Sequence, residues 1–233
     1  IKATPIPQVY IRTTSNWSKS ILLAGNENNH PKVPEVVVLR LPLYIRELTD
    51  MMKLGTKVVS SQQLGERLQM TPAQIRKDLS YFGKFGKQGR GYPISYLINQ
   101  LRNVLGLEKE WNCCIIGVGR LGRAVISYPG FTPEGFNIRA AFDDDLSLVG
   151  QKVGGLDVQP IKELAKTIND KNISIGIVTV PAPNAQGVID KMVESGLKSI
   201  LNYAPVGLHI PPGVHIRHVD PLLSLQSMTY YLK

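Results

Sequence analysis

The chain has 233 residues, 43% of them hydrophobic, which is enough for one large domain or two modest ones with buried cores. Its 27 Lys and Arg outnumber 18 Asp and Glu for a formal net charge of +9, which invites an anionic partner. No apolar run approaches the roughly 18 residues that suggest a membrane span, and the two cysteines, Cys113 and Cys114, are adjacent in an apolar run where neither a disulfide nor a metal cluster is plausible. A reducing cytoplasm is the expected setting.

The charge is unevenly spread. Residues 1–33 carry a surplus of three cations, residues 34–111 of five and residues 112–233 of one, so an anionic polymer is expected to meet the front of the chain. Residues 1–33 mix Thr, Ser, Asn and Pro without periodicity and read as a disordered tail with a basic, transit-peptide flavour. From about residue 40 to 54, Leu41, Tyr44, Ile45, Leu48, Met51 and Met52 recur at helical spacing before Gly55. Ser60 and Ser61 are cap candidates for a short second helix with Leu64 and Leu68 on one face. Thr71 and Pro72 open a third, whose Ile75, Leu79 and Phe82 share a face.

About 100° per residue places Ala73, Arg76, Lys77 and Ser80 opposite that apolar face. A helix-turn-helix element works this way, burying one stripe and offering cations and hydroxyls to the major groove. Next comes Lys84-Phe85-Gly86-Lys87-Gln88-Gly89-Arg90-Gly91-Tyr92, a basic stretch with hairpin chemistry that reads as a wing. Either feature alone is equally a solvated helix or a flexible loop. In succession they predict DNA binding by Arg76, Lys77, Ser80, Lys84, Lys87 and Arg90. Pro93 opens a further helix carrying Leu97, Leu101, Val104 and Leu105, and the front domain is expected to end near residue 110.

The back half alternates apolar runs, at residues 113–116, 138–142, 175–180 and 199–201, with helix-like stretches, the rhythm of a parallel sheet covered on both faces. Gly117-Val118-Gly119-Arg120-Leu121-Gly122 directly follows the first strand and fits a dinucleotide loop. The first glycine permits a tight turn, the second lets backbone approach a pyrophosphate, and the third lets helix pack on strand. Asp143, 21 positions beyond Gly122, is placed to accept from an adenosine ribose. The run Asp143-Asp144-Asp145 would repel a 2′-phosphate, so NAD(H) is expected over NADP(H). Asp144 and Asp145 read better as a surface turn. Val180, Pro181 and Ala182 follow another strand and are expected on the nicotinamide side.

A dehydrogenase needs an acid or base there, yet His30, His209, His215 and His218 have no obvious orienting carboxylate. No metal-ligand spacing, nucleophile elbow or P-loop occurs. The expected architecture is α/β: a winged helix-turn-helix domain over residues 34–110 (helix-turn-helix about 45–84, wing about 84–92), a Rossmann-type domain over 111–220, and a C-terminal helix over 221–233. Leu222, Leu225, Met228, Tyr231 and Leu232 approximate an apolar stripe on that last helix, which needs a partner.

From about Pro34 to its end, the chain resembles the Rex family of redox-sensing transcriptional repressors. The match is most specific at Gln74-Ile75-Arg76-Lys77-Asp78-Leu79-Ser80-Tyr81-Phe82-Gly83, Phe85-Gly86, Gly89-Arg90-Gly91-Tyr92, the glycine loop and Leu201-Asn202-Tyr203-Ala204-Pro205-Val206. The resemblance implies a cytoplasmic homodimer whose last helix is exchanged between subunits. It also implies that NADH disfavours binding to operator DNA and competes with NAD+ for one site, the dinucleotide acting as a regulatory ligand. Arg46, Tyr128 and Asp220 match family positions that link the domains and the partner differently in the two states, although each also reads as a surface charge or a packing ring. Pro221-Leu222 after Asp220 departs from the longer apolar or aromatic residue expected beside the nicotinamide. Two other readings stand beside this one: an NAD-dependent oxidoreductase with a basic accessory domain, and a coenzyme A or nucleotide-binding module.

Overall fold

The computed structural model describes residues 33–85 and 90–232. The tail expected at residues 1–33, apart from Val33, and the tip of the wing with Lys87 lie outside the described residues. The chain divides into two compact units between Glu110 and Trp111.

The first unit packs four helices around one core. Helix α1 spans Glu35–Lys53, β1 Val58–Val59, α2 Ser61–Leu68, α3 Pro72–Ser80, β2 Tyr92–Pro93 and α4 Ile94–Leu105. α1 begins five residues earlier than its periodicity suggested, because Pro34 supplies an extended N-cap and Glu35 an acid in the first turn. Pro42 lies within it on the exposed side. Ser60, and not Ser61, caps α2 in a reciprocal box with Gln63, at 3.1 Å and 2.9 Å. Thr71 accepts from the Gln74 N–H at 3.2 Å, with Pro72 opening α3. Leu41, Tyr44, Leu48, Leu64, Ile75, Leu79, Phe85, Leu97 and Leu101 are buried together, whereas Val104 lies on the exposed side of α4. β2 pairs with β1, and residues 81–85 before the wing are turn and coil, so the described part of the wing is closed onto β1.

Asp78, a lone acid among cations in the sequence, turns inward and is fully buried. Arg40 of α1 grips its carboxylate with two bonds, at 2.6 Å and 2.7 Å. The Tyr44 hydroxyl donates at 2.5 Å and the Gln74 amide at 2.6 Å. Burial works against the charge, but the hydrogen bonds from Arg40, Tyr44 and Gln74 outweigh it and hold the Asp78 carboxyl below its ordinary value. Burial, with the Asp78 bond, pushes the Tyr44 phenol up.

The second unit is a seven-stranded sheet. It contains β3 Trp111–Ile116, α5 Arg120–Ile126, β4 Phe136–Asp143, β5 Lys152–Val153, β6 Leu156–Pro160, α6 Leu164–Asp170, β7 Ile173–Val178, α7 Ala182–Glu194, β8 Ser199–Asn202, β9 His215–His218 and α8 Pro221–Met228. The order is β5-β6-β4-β3-β7-β8-β9, parallel throughout except for the β5/β6 pair. Counted from β3, the parallel strands follow the doubly wound Rossmann order, which reverses between β3 and β7. β5, β6 and β9 add to the four expected strands. They are short elements at or next to the sheet edges, with Val153, Val158 and Ile216 their only buried residues, too weak a pattern to stand out. β7 stops at Val178, two residues short of the apolar run, leaving Thr179 and Val180 in the following loop.

Successive residues of β3 face opposite sides, so Cys114 and Ile116 join the core under α6 and α7 while Cys113 and Ile115 join the core under α5. The α-helical part of the last helix ends at Met228 and a 3-10 turn, Thr229–Leu232, follows. All twelve residues 221–232 are exposed, including Leu222, Leu225, Met228 and Tyr231.

Replacing Asp78 by Ala leaves Arg40 and the Tyr44 hydroxyl without their shared acceptor. The expected cost is about 3–5 kcal/mol in urea unfolding, the range for breaking a buried pair. Because the folded carboxyl titrates below its unfolded value of about 3.9, this contribution is complete above that pH and disappears as pH falls through the folded value. A cost below about 1 kcal/mol at pH 7, or one that persists unchanged at pH 2, would contradict this role.

Candidate functional site

The parallel register aligns Phe142, Ile116, Val178, Asn202 and His218 across β4, β3, β7, β8 and β9. The residues that follow each of them form the carboxyl edge, where open α/β sheets bind ligands at the reversal of strand order. Gly117 turns the chain off β3 with φ +97°, and its amide donates to the Phe142 carbonyl at 2.9 Å. A β-carbon there would lie 2.8 Å from the Thr179 backbone and from Val180 Cγ1. At Gly122 it would lie 1.9 Å from the Gly117 oxygen, so only glycine lets α5 lie this close to the strand. Around Gly119, the N-cap of α5, there is open space. Val118 is buried, while Arg120 and Leu121 are exposed at the start of α5.

Asp143 ends β4 beside this loop. One carboxylate oxygen accepts from the Val118 N–H at 2.7 Å and the other from the Asp145 N–H at 3.0 Å. Each oxygen keeps a lone pair for a ligand hydroxyl. Asp144 lies 4.0 Å from Lys191, and Asp145 is held below its ordinary value by the Ser147 hydroxyl and amide, so both belong to a surface turn. Pro181 caps α7, Ala182 opens it, and Val180 stands against the glycine loop.

Three side chains that pattern reading passed over hold this edge in place. The Thr179 hydroxyl donates to the Gly117 carbonyl at 2.7 Å, tying the loop to β7. Arg123 Nε donates to the Val118 carbonyl at 3.1 Å. Asn202, fully buried, closes its own turn by accepting from the Ala204 N–H at 3.0 Å and donating to the Ala204 carbonyl at 2.9 Å. That fixes the orientation of its amide, so His218 Nδ1, 3.2 Å from Asn202 Nδ2, is an acceptor. Burial pushes His218 down, against the opposing effect of Asp220. Asn202 stood in the run Leu201-Asn202-Tyr203-Ala204-Pro205-Val206 that carries the resemblance, without a role assigned to it; Thr179 had no signal.

On the first unit, Arg76, Lys77, Ser80, Lys84 and Arg90 are all exposed. Arg76 donates to the Ser61 hydroxyl at 3.0 Å, and Ser80 spends its hydroxyl proton on the Lys77 carbonyl at 2.7 Å. With Asp78 buried and paired to Arg40, the outward face of α3 carries Arg76 and Lys77 uncompensated. Arg46 is exposed on α1. Tyr128 is exposed and meets Phe131 edge-on with ring centres 5.0 Å apart, beside a cavity of about 170 Å³. Asp220 caps α8, accepting from the Leu222 N–H at 2.9 Å, so it has a structural task of its own. The Cys113 and Cys114 thiols are free, buried and pushed up to about 11 and about 12 by burial, which makes them poor redox nucleophiles.

Family models match both units: a CoA binding domain at residues 108–206 and a putative DNA-binding protein N-terminus at residues 32–80. The redox-sensing transcriptional repressor Rex of Chloroflexus aurantiacus is 49% identical over 199 residues, covering 85% of this chain and 94% of the relative. The chain belongs to the Rex family of redox-sensing transcriptional repressors. The Rex protein of Brevibacillus brevis is 43% identical, over 87% of this chain and 98% of the relative. Among solved structures, the Rex-family repressor RSP in complex with β-NAD+ and operator DNA aligns with a TM-score of 0.82 at 39% identity, covering 87% of this chain and 93% of that one. RSP with β-NADH aligns at 0.79 and 37%, covering 87% and 95%.

Two glycines of the Rex-type loop, Gly119 and Gly122, separate fold from ligand approach. Gly122→Ala is expected to cost at least about 1–3 kcal/mol through overpacking, whereas Gly119→Ala, facing open space, should cost less than about 1 kcal/mol. Thermal unfolding compares them, and equal losses would contradict the geometry.

Proposed function

We propose that this chain is a DNA-binding repressor whose operator affinity is set by a dinucleotide at the carboxyl edge of its sheet, with NADH promoting release and NAD+ competing for the same site. The observation that carries this reading is the pairing, in one chain, of a glycine loop tied to Asp143 at the reversal of strand order with an uncompensated cationic face on α3. Asp143 then accepts from the adenosine ribose, and its charge disfavours a 2′-phosphate, so the ligand is NAD(H) and not NADP(H). Gly117, Val118, Gly119, Arg120, Leu121 and Gly122 lie along the pyrophosphate, with Val180, Pro181 and Ala182 toward the nicotinamide. Arg76, Lys77 and Ser80 enter the major groove, and Lys84, Lys87 and Arg90 follow the backbone from the wing. RSP, with its operator and β-NAD+ in one complex and β-NADH in another, supports this assignment.

The working unit in this reading is a homodimer in the cytoplasm, where bacterial DNA lies. α8 crosses to the partner, which covers the apolar side chains it leaves exposed. Arg46, Tyr128 and Asp220 change partners between a form that matches two adjacent major grooves and a form that does not. NADH selects the second form by binding it more tightly. Among the described residues no helix is long and apolar enough to cross a membrane. The chain is a regulator and not an enzyme, as the repressor name carried by its relatives supports.

In a mobility-shift titration at fixed salt, NADH is expected to release operator DNA at concentrations where NAD+ leaves most of it bound. Equal release by both would overturn the redox reading. Two sets of variants separate the sites. Arg76→Ala and Lys77→Ala should each weaken operator binding about tenfold while changing NADH affinity less than about twofold. Asp143→Ala should do the reverse, and fluorescence titration showing unaltered NADH affinity would remove Asp143 from the site.

A further inference from the structure

The amino end of the sheet, at the far end of β3 from the glycine loop, carries a second polar cluster. The register of β3 slips against both of its neighbours. Against β4, Cys113 and Cys114 pair with Ile138 and Ala140, skipping Arg139; against β7, Asn112 and Cys113 pair with Ile173 and Ile175, skipping Ser174. A bulge leaves backbone groups unpaired and re-aims a side chain. Here the Arg139 carbonyl is taken by Lys171 Nζ at 2.8 Å. Arg139 Nε donates to Asn112 Oδ1 at 3.3 Å, and Asn112 Nδ2 donates to the Lys171 carbonyl at 2.8 Å, which closes a ring of three residues.

Two cations are thus held together by neutral acceptors. Among the described residues neither has a carboxylate within ion-pairing distance. The guanidinium keeps its two terminal amino groups and the ammonium keeps two of its three donors. With Asn112 and Leu156, these residues line an open pocket of about 460 Å³. A planar fork beside a point charge, over a pocket of that size, is suited to an oxyanion with several acceptor atoms.

We propose that the Asn112, Arg139 and Lys171 pocket binds a small phosphate-type oxyanion, either as the free ion or as the head of a phosphorylated metabolite. Asn112, the second residue of β3, stands four positions before Ile116 at the strand's end, so this site lies about 13 Å from the nucleotide edge at the rise of a strand. The two can be filled independently. Arg139 binds the anion in a fork, Lys171 supplies the second charge, and Asn112 orients both.

The test is equilibrium dialysis of the full chain with radiolabelled inorganic phosphate, at ionic strength held constant with chloride. Wild type should bind one phosphate more per chain than Arg139→Gln, a variant that keeps a donor for Asn112 but loses the charge. Lys171→Gln should weaken that same phosphate at least fivefold, with circular dichroism confirming that both variants are folded. A sugar phosphate that displaces the label at lower concentration than unlabelled phosphate assigns the site to a phosphorylated metabolite; weaker displacement assigns it to the free ion. The same number of phosphates bound with the same affinity by wild type and both variants overturns the proposal, as does a wild type that binds none.

Discussion

A β-carbon on residue 122 would collide with the Gly117 carbonyl, and one on residue 117 with the backbone at Thr179. Strand, loop and helix therefore meet backbone to backbone, and this contact sets what the second unit can do. Thr179 pulls the loop toward β7 by the Gly117 oxygen, while Asp143 draws it toward β4 by the Val118 amide. The loop is fixed from both sides at the one place where the strand order reverses. A ligand there meets a cradle already formed, so the ordering cost is borne in folding and not in binding.

The first unit answers to a comparable constraint. A cationic helix face next to its own acid would be partly neutralised, but the carboxylate of Asp78 is turned through the helix into the core. Arg40, Tyr44 and Gln74 satisfy it there. One residue thus fastens α3 to α1 and leaves Arg76 and Lys77 without a compensating charge. The position of α3 and its electrostatics depend on the same buried group, so a change at Asp78 would disturb both.

Long periodic segments and glycine spacing were legible in the sequence. Apart from Met52 and Val104, which are exposed, the α1, α3 and α4 stripes follow from local spacing, as do the Ser and Thr caps and the glycine loop with Asp143 at its side. β5, β6 and β9 were not legible, because a short strand with one buried residue has no periodicity to detect. The inward turn of Asp78 was equally hidden: its partners Arg40 and Tyr44 lie more than thirty positions away, and a charge count cannot tell a buried acid from a solvated one. Thr179 was absorbed into an apolar run although it begins the loop. Asp220 before Pro221 has the same cap pattern as Thr71 before Pro72, and it was read only for its family role although it caps α8.

A coupling free energy links dinucleotide and operator binding in the proposed function, and such couplings are reciprocal. If NADH weakens the hold on operator DNA by some factor, operator DNA must weaken the hold on NADH by the same factor, typically about 5- to 150-fold. NADH fluorescence titrations of the free protein and of the protein saturated with operator DNA measure this directly. The dissociation constant for NADH is expected to be higher on DNA by the factor found for release. Identical NADH affinity with and without DNA would contradict it.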